Sequence, residues 1–433
     1  MLIATLRPHL PTLIGLVCFA LAGGCGARQG DEGAQQAAQG VEVERFAFEG
    51  AIIEARPTGD GGFEVIDHDA VTLFEEATEA LSTGAFEEAL AGFDRIIDYF
   101  RDEEIVRLSL YNGAVALEML ERCTAAIERY RLVRERWPGS DEAVDAALGR
   151  AECFTQLARE EEALAELDEL LDGFSLTHAA RVEAELRRAH LLLSMDRLVD
   201  AEAGYRTVLR LQSAAVERRD PDPGAEPLPA AHPHLAQAHF GRGRVLHALF
   251  LDVRFSMPED RFRRDLVAKG EMLDEARGAY MGAVRLGNPY WSPAAGYMIG
   301  RLYEDFYLDV LATEMPDDFS DLEVQSYFRQ MRDRLAPAIR MAKQFYRQTL
   351  VMVYRIGGEA VWIEALVEAV ERLERYIREE EGWEDEHELI RQGRHPRDAR
   401  PQPAEPELRA HGYGHDEEPV EHVARARGLS SHP

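Results

Sequence analysis

The chain has 433 residues, 46% of them hydrophobic, and a formal net charge of −30. The length allows two or three domains and the apolar content supplies a core. An acidic excess of this size repels nucleic-acid backbones and anionic lipid surfaces, so nucleic-acid binding is disfavoured.

Residues 1–24 read as an export signal. Arg7 and the amino terminus supply positive charge, and an apolar run from Leu10 to Ala22 follows. That run is short for a membrane-spanning helix. It ends in Leu21-Ala22-Gly23-Gly24-Cys25, which resembles the lipobox of bacterial lipoproteins, with Ala22 where leucine is usual. The resemblance implies that Cys25 is acylated and begins the mature protein. Gly26 after it, rather than aspartate, implies an outer-membrane anchor facing the periplasm. The other reading is ordinary cleavage after Ala22, which releases a soluble periplasmic or secreted chain. Residues 25–40, rich in Gln, Ala and Gly, suit a flexible tether.

Val41, Val43, Phe46 and Phe48 alternate, as do residues around Ile52 and Ile53. Pro57 to Gly62 forms a glycine-rich break before Phe63–Ile66. This predicts a small β-hairpin within 41–66, leaning on whatever helix follows.

From 67 to 215 one helix–turn–helix pattern recurs four times. A small residue opens each second helix, a large side chain stands four later and an apolar one three further on. The sets are Ala89–Phe93–Ile96, Ala126–Tyr130–Val133, Ala163–Leu167–Leu170 and Ala201–Tyr205–Val208. A second alanine lies upstream of each, at Ala77, Ala114, Ala151 and Ala189. Small residues let paired helices approach, and the side chain four positions on fills the gap. Pro138-Gly139-Ser140-Asp141 stops one helix and caps the next.

This pattern resembles the tetratricopeptide repeat family. The usual tryptophan early in each unit is replaced, the usual glycine is alanine, and the closing proline appears once, as Pro138. The resemblance implies an all-α, superhelical αα solenoid. It also implies that first helices line a concave, partner-binding face. The positions so assigned are Val71, Phe74, Thr78 and Leu81; Leu108, Tyr111, Val115 and Glu118; Asp145, Leu148, Glu152 and Thr155; Glu183, Leu186, His190 and Leu193. Phe74, Leu81 and Tyr111 would form the most apolar patch, if they are not core. Asn112 stands where some relatives hold a peptide carboxylate, but the lysines of that clamp are absent here.

Residues 216–234 carry five prolines and read as an extended surface loop. Degenerate repeats follow over 235–312. Ser256 to Lys269 reads as an insertion, and Ala276…Tyr280…Ala283 as a fifth second helix. Two long helices over 313–382, broken at Gly357-Gly358, would cap the solenoid with a polar outer face. Residues 383–433 are charged and rich in Pro and His and are expected to be disordered.

No nucleophile elbow, metalloprotease motif or phosphate loop is present, so no catalytic residue and no cofactor are expected. His411, His415 and His422 lie close together but have no scaffold to fix ligand geometry, so no metal site is expected. Cys18 leaves with the signal. Cys123 begins one helix and Cys153 is late in its antiparallel neighbour, which makes a disulfide between them the candidate pairing in an oxidising compartment. The alternative is two small buried hydrophobes. Taken together, the sequence predicts a non-enzymatic, membrane-tethered scaffold for other envelope proteins. The alternative is a periplasmic carrier of a small ligand or cell-wall fragment.

Overall fold

The computed structural model describes residues 44–48, 51–57, 63–218, 224–255, 259–313, 320–357 and 360–377. Cys25, the tether and the tail lie outside the described residues.

Three short strands come first: β1 (Glu44–Phe48), β2 (Ala51–Pro57) and β3 (Phe63–Asp69). They form an antiparallel meander in the order β1-β2-β3, with Phe48 opposite Ala51 and Pro57 opposite Phe63. The expected hairpin therefore has a third strand. The alternating run is divided into β1, which ends at Phe48, and β2, which begins at Ala51 and pairs back on it.

Helices then alternate as hairpins. Repeat one is α1 (Ala70–Ser82) and α2 (Phe86–Tyr99). Repeat two is α3 (Glu103–Met119) and α4 (Cys123–Arg136). Repeat three is α5 (Asp141–Gln156) and α6 (Glu160–Gly173), and repeat four is α7 (His178–Ser194) and α8 (Leu198–Glu217). The fifth hairpin is α9 (Pro233–Asp252) and α10 (Glu259–Leu286), and the sixth is α11 (Trp291–Leu311) and α12 (Asp321–Ile356). α13 (Ala360–Ile377) packs on α12 and closes the described chain. The fold is an all-α solenoid carrying a small sheet at its start.

Local chemistry separates the two kinds of helix. The first helices of repeats one to four are capped by Asp69, Asp102, Ser140 and Thr177, whose side chains accept from backbone N–H groups of the first turn. These are the residue types that satisfy orphan donors at helix starts. The second helices of these repeats have no side-chain cap. α2, α6 and α8 instead carry acidic residues in the first turn, which offset the helix dipole. Between the helices stands one left-handed residue per repeat: Gly84, Glu121, Ala158 and Asp196, with φ of 81°, 58°, 54° and 58°. The next N–H in each turn reaches back five residues, as Arg122 N does to Leu117 O at 2.8 Å. This is the hydrogen-bond pattern that ends a helix at a left-handed residue.

The repeat markers form the interior. Ala89, Ala126, Ala163 and Ala201 are fully buried, as are the large side chains four residues on. Each tyrosine also presses on the next first helix. A β-carbon on Gly149 would lie 2.5 Å from the Tyr130 ring, and one on Gly241 would lie 2.3 Å from Tyr205. Glycine at those points lets one repeat seat its aromatic ring against the backbone of the next. One continuous core runs from Leu73 to Val245, and a second from Ala236 to Leu373.

The later second helices lengthen, to 28 residues in α10 and 36 in α12. Their packing markers, Ala276–Tyr280–Ala283 and Ala342–Tyr346, sit toward the C-terminal ends, so the preceding turns extend each hairpin beyond the regular repeat. The insertion expected at 256–269 is therefore largely helical, as the first part of α10. Likewise α12 is the second helix of a sixth hairpin rather than part of a cap. Lys269 in the α10 extension is buried, with its Nζ 2.5 Å from Asp309 Oδ2 and 4.3 Å from the centre of the Phe250 ring. A buried ammonium needs such partners to offset desolvation.

The proline-rich segment does not stand free. Gln212 of α8 clamps Leu228 from both sides, donating to its O at 2.8 Å and accepting from its N at 3.0 Å. His178 N donates to Gly224 O at 2.6 Å. The described part of this loop is thus docked across the ends of α7 and α8.

Candidate interaction face

The first helices touch one another from repeat to repeat, α1 with α3, α3 with α5, α5 with α7 and α7 with α9. Apart from α1, which has β3 before it and α3 alone beside it, each is thereby enclosed by its own second helix, the preceding one and two neighbours in its own layer. This decides where the candidate groove residues lie. Phe74, Leu81, Leu108, Tyr111, Asn112, Val115, Leu148 and Leu186 are all buried. Phe74 meets Phe93 edge-on with centroids 5.8 Å apart, and Tyr111 tilts on Tyr130 at 5.9 Å. The apolar groove patch expected from Phe74, Leu81 and Tyr111 is therefore core. Of that set only Val71 is exposed, at 44%, while Thr78 and His190 are half-buried.

What this layer carries instead is polar, and it follows a rule. Where the large side chain of the second helix is tyrosine, its hydroxyl meets a polar group on the first helix of the same repeat. Tyr130 donates to Glu118 Oε2 at 2.9 Å, and Tyr346 donates to Glu304 Oε2 at 2.9 Å. Tyr205 pairs with His190 Nδ1 at 3.2 Å and Tyr280 with His247 Nδ1 at 3.4 Å. Where the side chain is Phe93 or Leu167, the position matching Glu118 holds Leu81 or Thr155. A buried hydroxyl needs a partner and a ring without one does not.

Polar and charged pairs add further ties within and between repeats. Arg187 bridges Glu183 at 2.8 Å and Glu152 at 3.4 Å. His247 Nε2 lies 3.1 Å from Asp305 Oδ2, and Arg301 Nε lies 3.9 Å from the same oxygen. Arg372 of α13 grips Glu304 through two nitrogens, at 2.8 and 3.1 Å. On the outer side Arg134 and Arg150 both pair with Glu166, and Arg242 pairs with Glu202 at 2.9 Å. Apart from Arg187–Glu183 and Arg301–Asp305, each within one helix, these pairs join different helices and tie neighbouring elements together.

Burial shifts the titration of this layer. It raises the Tyr130 and Tyr346 phenols well above their ordinary range, and the neighbouring Glu118 and Glu304 carboxylates add to the effect. His190 is lowered to about 4 by burial, with the nearby Arg244 charge adding to it. His239 is also lowered to about 4, by burial and then by Arg285 and Arg242. Between pH 6.5 and 4 the unfolded chain binds protons at these histidines that the folded chain refuses. Stability therefore falls as pH drops through that window. The expected result is a steeper acid loss of unfolding free energy in the wild type than in a His190→Gln, His239→Gln variant, measured by denaturant titration at pH 7, 5.5 and 4.5. Equal slopes would show that neither imidazole is held neutral.

The sequence reading placed Glu118, Glu152 and His190 on this face. It missed Arg244, His247, Arg301, Glu304 and Asp305, because α9 and α11 fall outside the regular spacing. The tyrosines at 280 and 346, each four beyond an alanine, were the available signal. Among the described residues no group of three or more potential ligands is placed to hold a metal ion. Cys123 and Cys153 are both buried free thiols.

No protein-family model matches this sequence, and no curated protein matches it. Among solved structures, a tetratricopeptide repeat protein from Parabacteroides merdae is 13% identical, with 70% of this chain and 98% of that one covered and a TM-score of 0.33. A TPR repeats protein from Bacteroides fragilis is 12% identical, with 70% and 97% covered and a TM-score of 0.25. Helix order and packing within this chain give its fold, a solenoid of helical hairpins.

Proposed function

We propose that this chain is a non-enzymatic interaction scaffold of a bacterial cell envelope, tethered by a lipid on Cys25 and binding other envelope proteins through its layer of first helices. The observation that carries the reading is the half-buried charged row on that layer. Arg187 and the neutral His190 stand on α7, Arg244 on α9 and Arg301 on α11, three consecutive first helices, with phenols and carboxylates fixing several of them. A row of oriented charges on a rigid array suits polar recognition of an extended or helical segment, where charge complementarity sets partner and register. The tether rests on the apolar run that ends at Cys25. No helix among the described residues is long and apolar enough to cross a membrane.

Pull-down in mild detergent from the membrane fraction tests both parts. Wild type should be recovered in the membrane fraction together with a stable protein partner. Arg244→Ala should lose the partner without a change in melting temperature, and Cys25→Ser should move the chain to the soluble periplasmic fraction. If wild type is already soluble, the tether is wrong. If a cell-wall fragment raises the melting temperature of the isolated chain and no protein is captured, the chain is a carrier rather than a scaffold.

A further inference from the structure

The seam between repeats two and three brings together the two cysteines of the described residues. Cys123 is the first residue of α4, and Cys153 lies in the last turn of α5. The register of these helices is fixed nearby, where Gly149 allows the Tyr130 ring against the α5 backbone. Continuing along both helices from that contact places the start of α4 against the end of α5. Cys123 Sγ donates to Gln156 Oε1 at 2.9 Å, one turn beyond Cys153 on the same helix. The Cys153 thiol is itself within hydrogen-bonding reach of Cys123. Exposure of the two residues is 2% and 0%, whereas Gln156 is exposed. Cys123 is thus hydrogen-bonded to a side chain that itself reaches solvent.

We propose that Cys123 and Cys153 are a modification site: they close to a disulfide that staples repeat two to repeat three, with Gln156 as the side chain that governs access of the oxidant. The oxidant is a low-molecular-weight disulfide. Cys123, the outer thiol, loses its proton and attacks one sulfur of that disulfide. The S–S bond breaks, a mixed disulfide forms on Cys123, and one thiolate leaves. Cys153 then loses its proton, attacks Cys123 Sγ and expels the second thiolate. Two protein thiols have become one disulfide, the oxidant's disulfide has become two thiols, and the two protons end on those thiols. The order follows from the surroundings. Cys123 is bonded to Gln156, which reaches solvent, whereas Cys153 is fully buried, so the oxidant meets Cys123 first and Cys153 is the resolving group. Closure crosslinks residues on consecutive repeats, which restricts the unfolded chain.

The full chain is incubated with oxidised glutathione, quenched in acid, unfolded, alkylated and mapped by mass spectrometry. The expected product is a Cys123–Cys153 peptide pair lacking two hydrogens, with a melting temperature raised by several degrees and restored by dithiothreitol. Cys153→Ala should instead stop at glutathione on Cys123. Gln156→Ala, which removes only an exposed side chain, should form the bridge several-fold faster. Alkylation of both cysteines after oxidation, or a persistent glutathione adduct on the wild type, would overturn the bridge. An unchanged rate in Gln156→Ala would overturn the access role. Neither outcome bears on the tether or the partner proposed above.

Discussion

Phe74→Ala combined with Tyr111→Ala is expected to melt the first two repeats at markedly lower temperature. Each substitution removes a ring that is about 1% exposed and leaves a cavity in the continuous core. Buried aromatic-to-alanine changes cost about 3–5 kcal/mol at each site. The rings contact Phe93 and Tyr130, which are themselves packing markers of repeats one and two, so the two losses fall on adjoining units. A solenoid couples mainly through neighbouring units, so the loss should appear first as a separate early transition at the N-terminal end. Calorimetry and limited proteolysis of that end are the measurements. If the double variant keeps the wild-type melting profile and loses only a bound partner, the two rings belong to an interface and the burial described above does not hold in solution.

The second large effect is expected at Glu304. This carboxylate is fully buried, accepts from Tyr346 and is gripped by Arg372. It joins three helices, α11, α12 and α13. Glu304→Ala removes the carboxylate that Arg372 reaches at 2.8 and 3.1 Å and leaves a largely buried guanidinium with less compensation. Removing one member of a buried ion pair costs about 3–5 kcal/mol, mostly as the burial penalty of the charge left behind. Replacing all three groups by apolar ones, Glu304→Leu with Tyr346→Phe and Arg372→Met, should recover most of that loss, since no charge then remains to desolvate. Urea titration of the three-residue variant beside Glu304→Ala separates these cases. A loss below about 1 kcal/mol in Glu304→Ala would mean that water reaches the site and already screens the pair.

The sequence by itself determined the part of the molecule that is periodic. Ala89, Ala126, Ala163 and Ala201, each with a large side chain four residues later, state which face of each second helix is buried, because helical geometry places those residues on one side. Pro138-Gly139-Ser140 fixed a boundary for a similarly local reason, as did the strand alternation before Pro57. Turn geometry was less legible. The left-handed residue in three of four repeats is Glu121, Ala158 or Asp196, and none of these announces positive φ as Gly84 does. Glycine is the usual signal because it alone lacks a β-carbon to clash.

The tertiary structure alone decided what the first helices expose. Phe74 and Tyr111 occupy positions that face a groove in the family pattern, yet close packing of α1, α3 and α5 within one layer encloses them. Whether a large side chain is core or surface depends on how near the neighbouring helix comes, and sequence period does not specify that distance. The same limit applies to the sixth hairpin. Tyr346 and Glu304 are 42 residues apart, and Arg372 and Glu304 are 68 apart. Pairings over such separations depend on α12 folding back along α11, after a turn whose length differs from the regular repeat. The docked proline-rich loop was hidden for a related reason: its anchor is the Gln212 side chain, 16 residues away from Leu228. Local spacing encodes a helix face; contacts between helices of irregular length arise only once the backbone has placed them side by side.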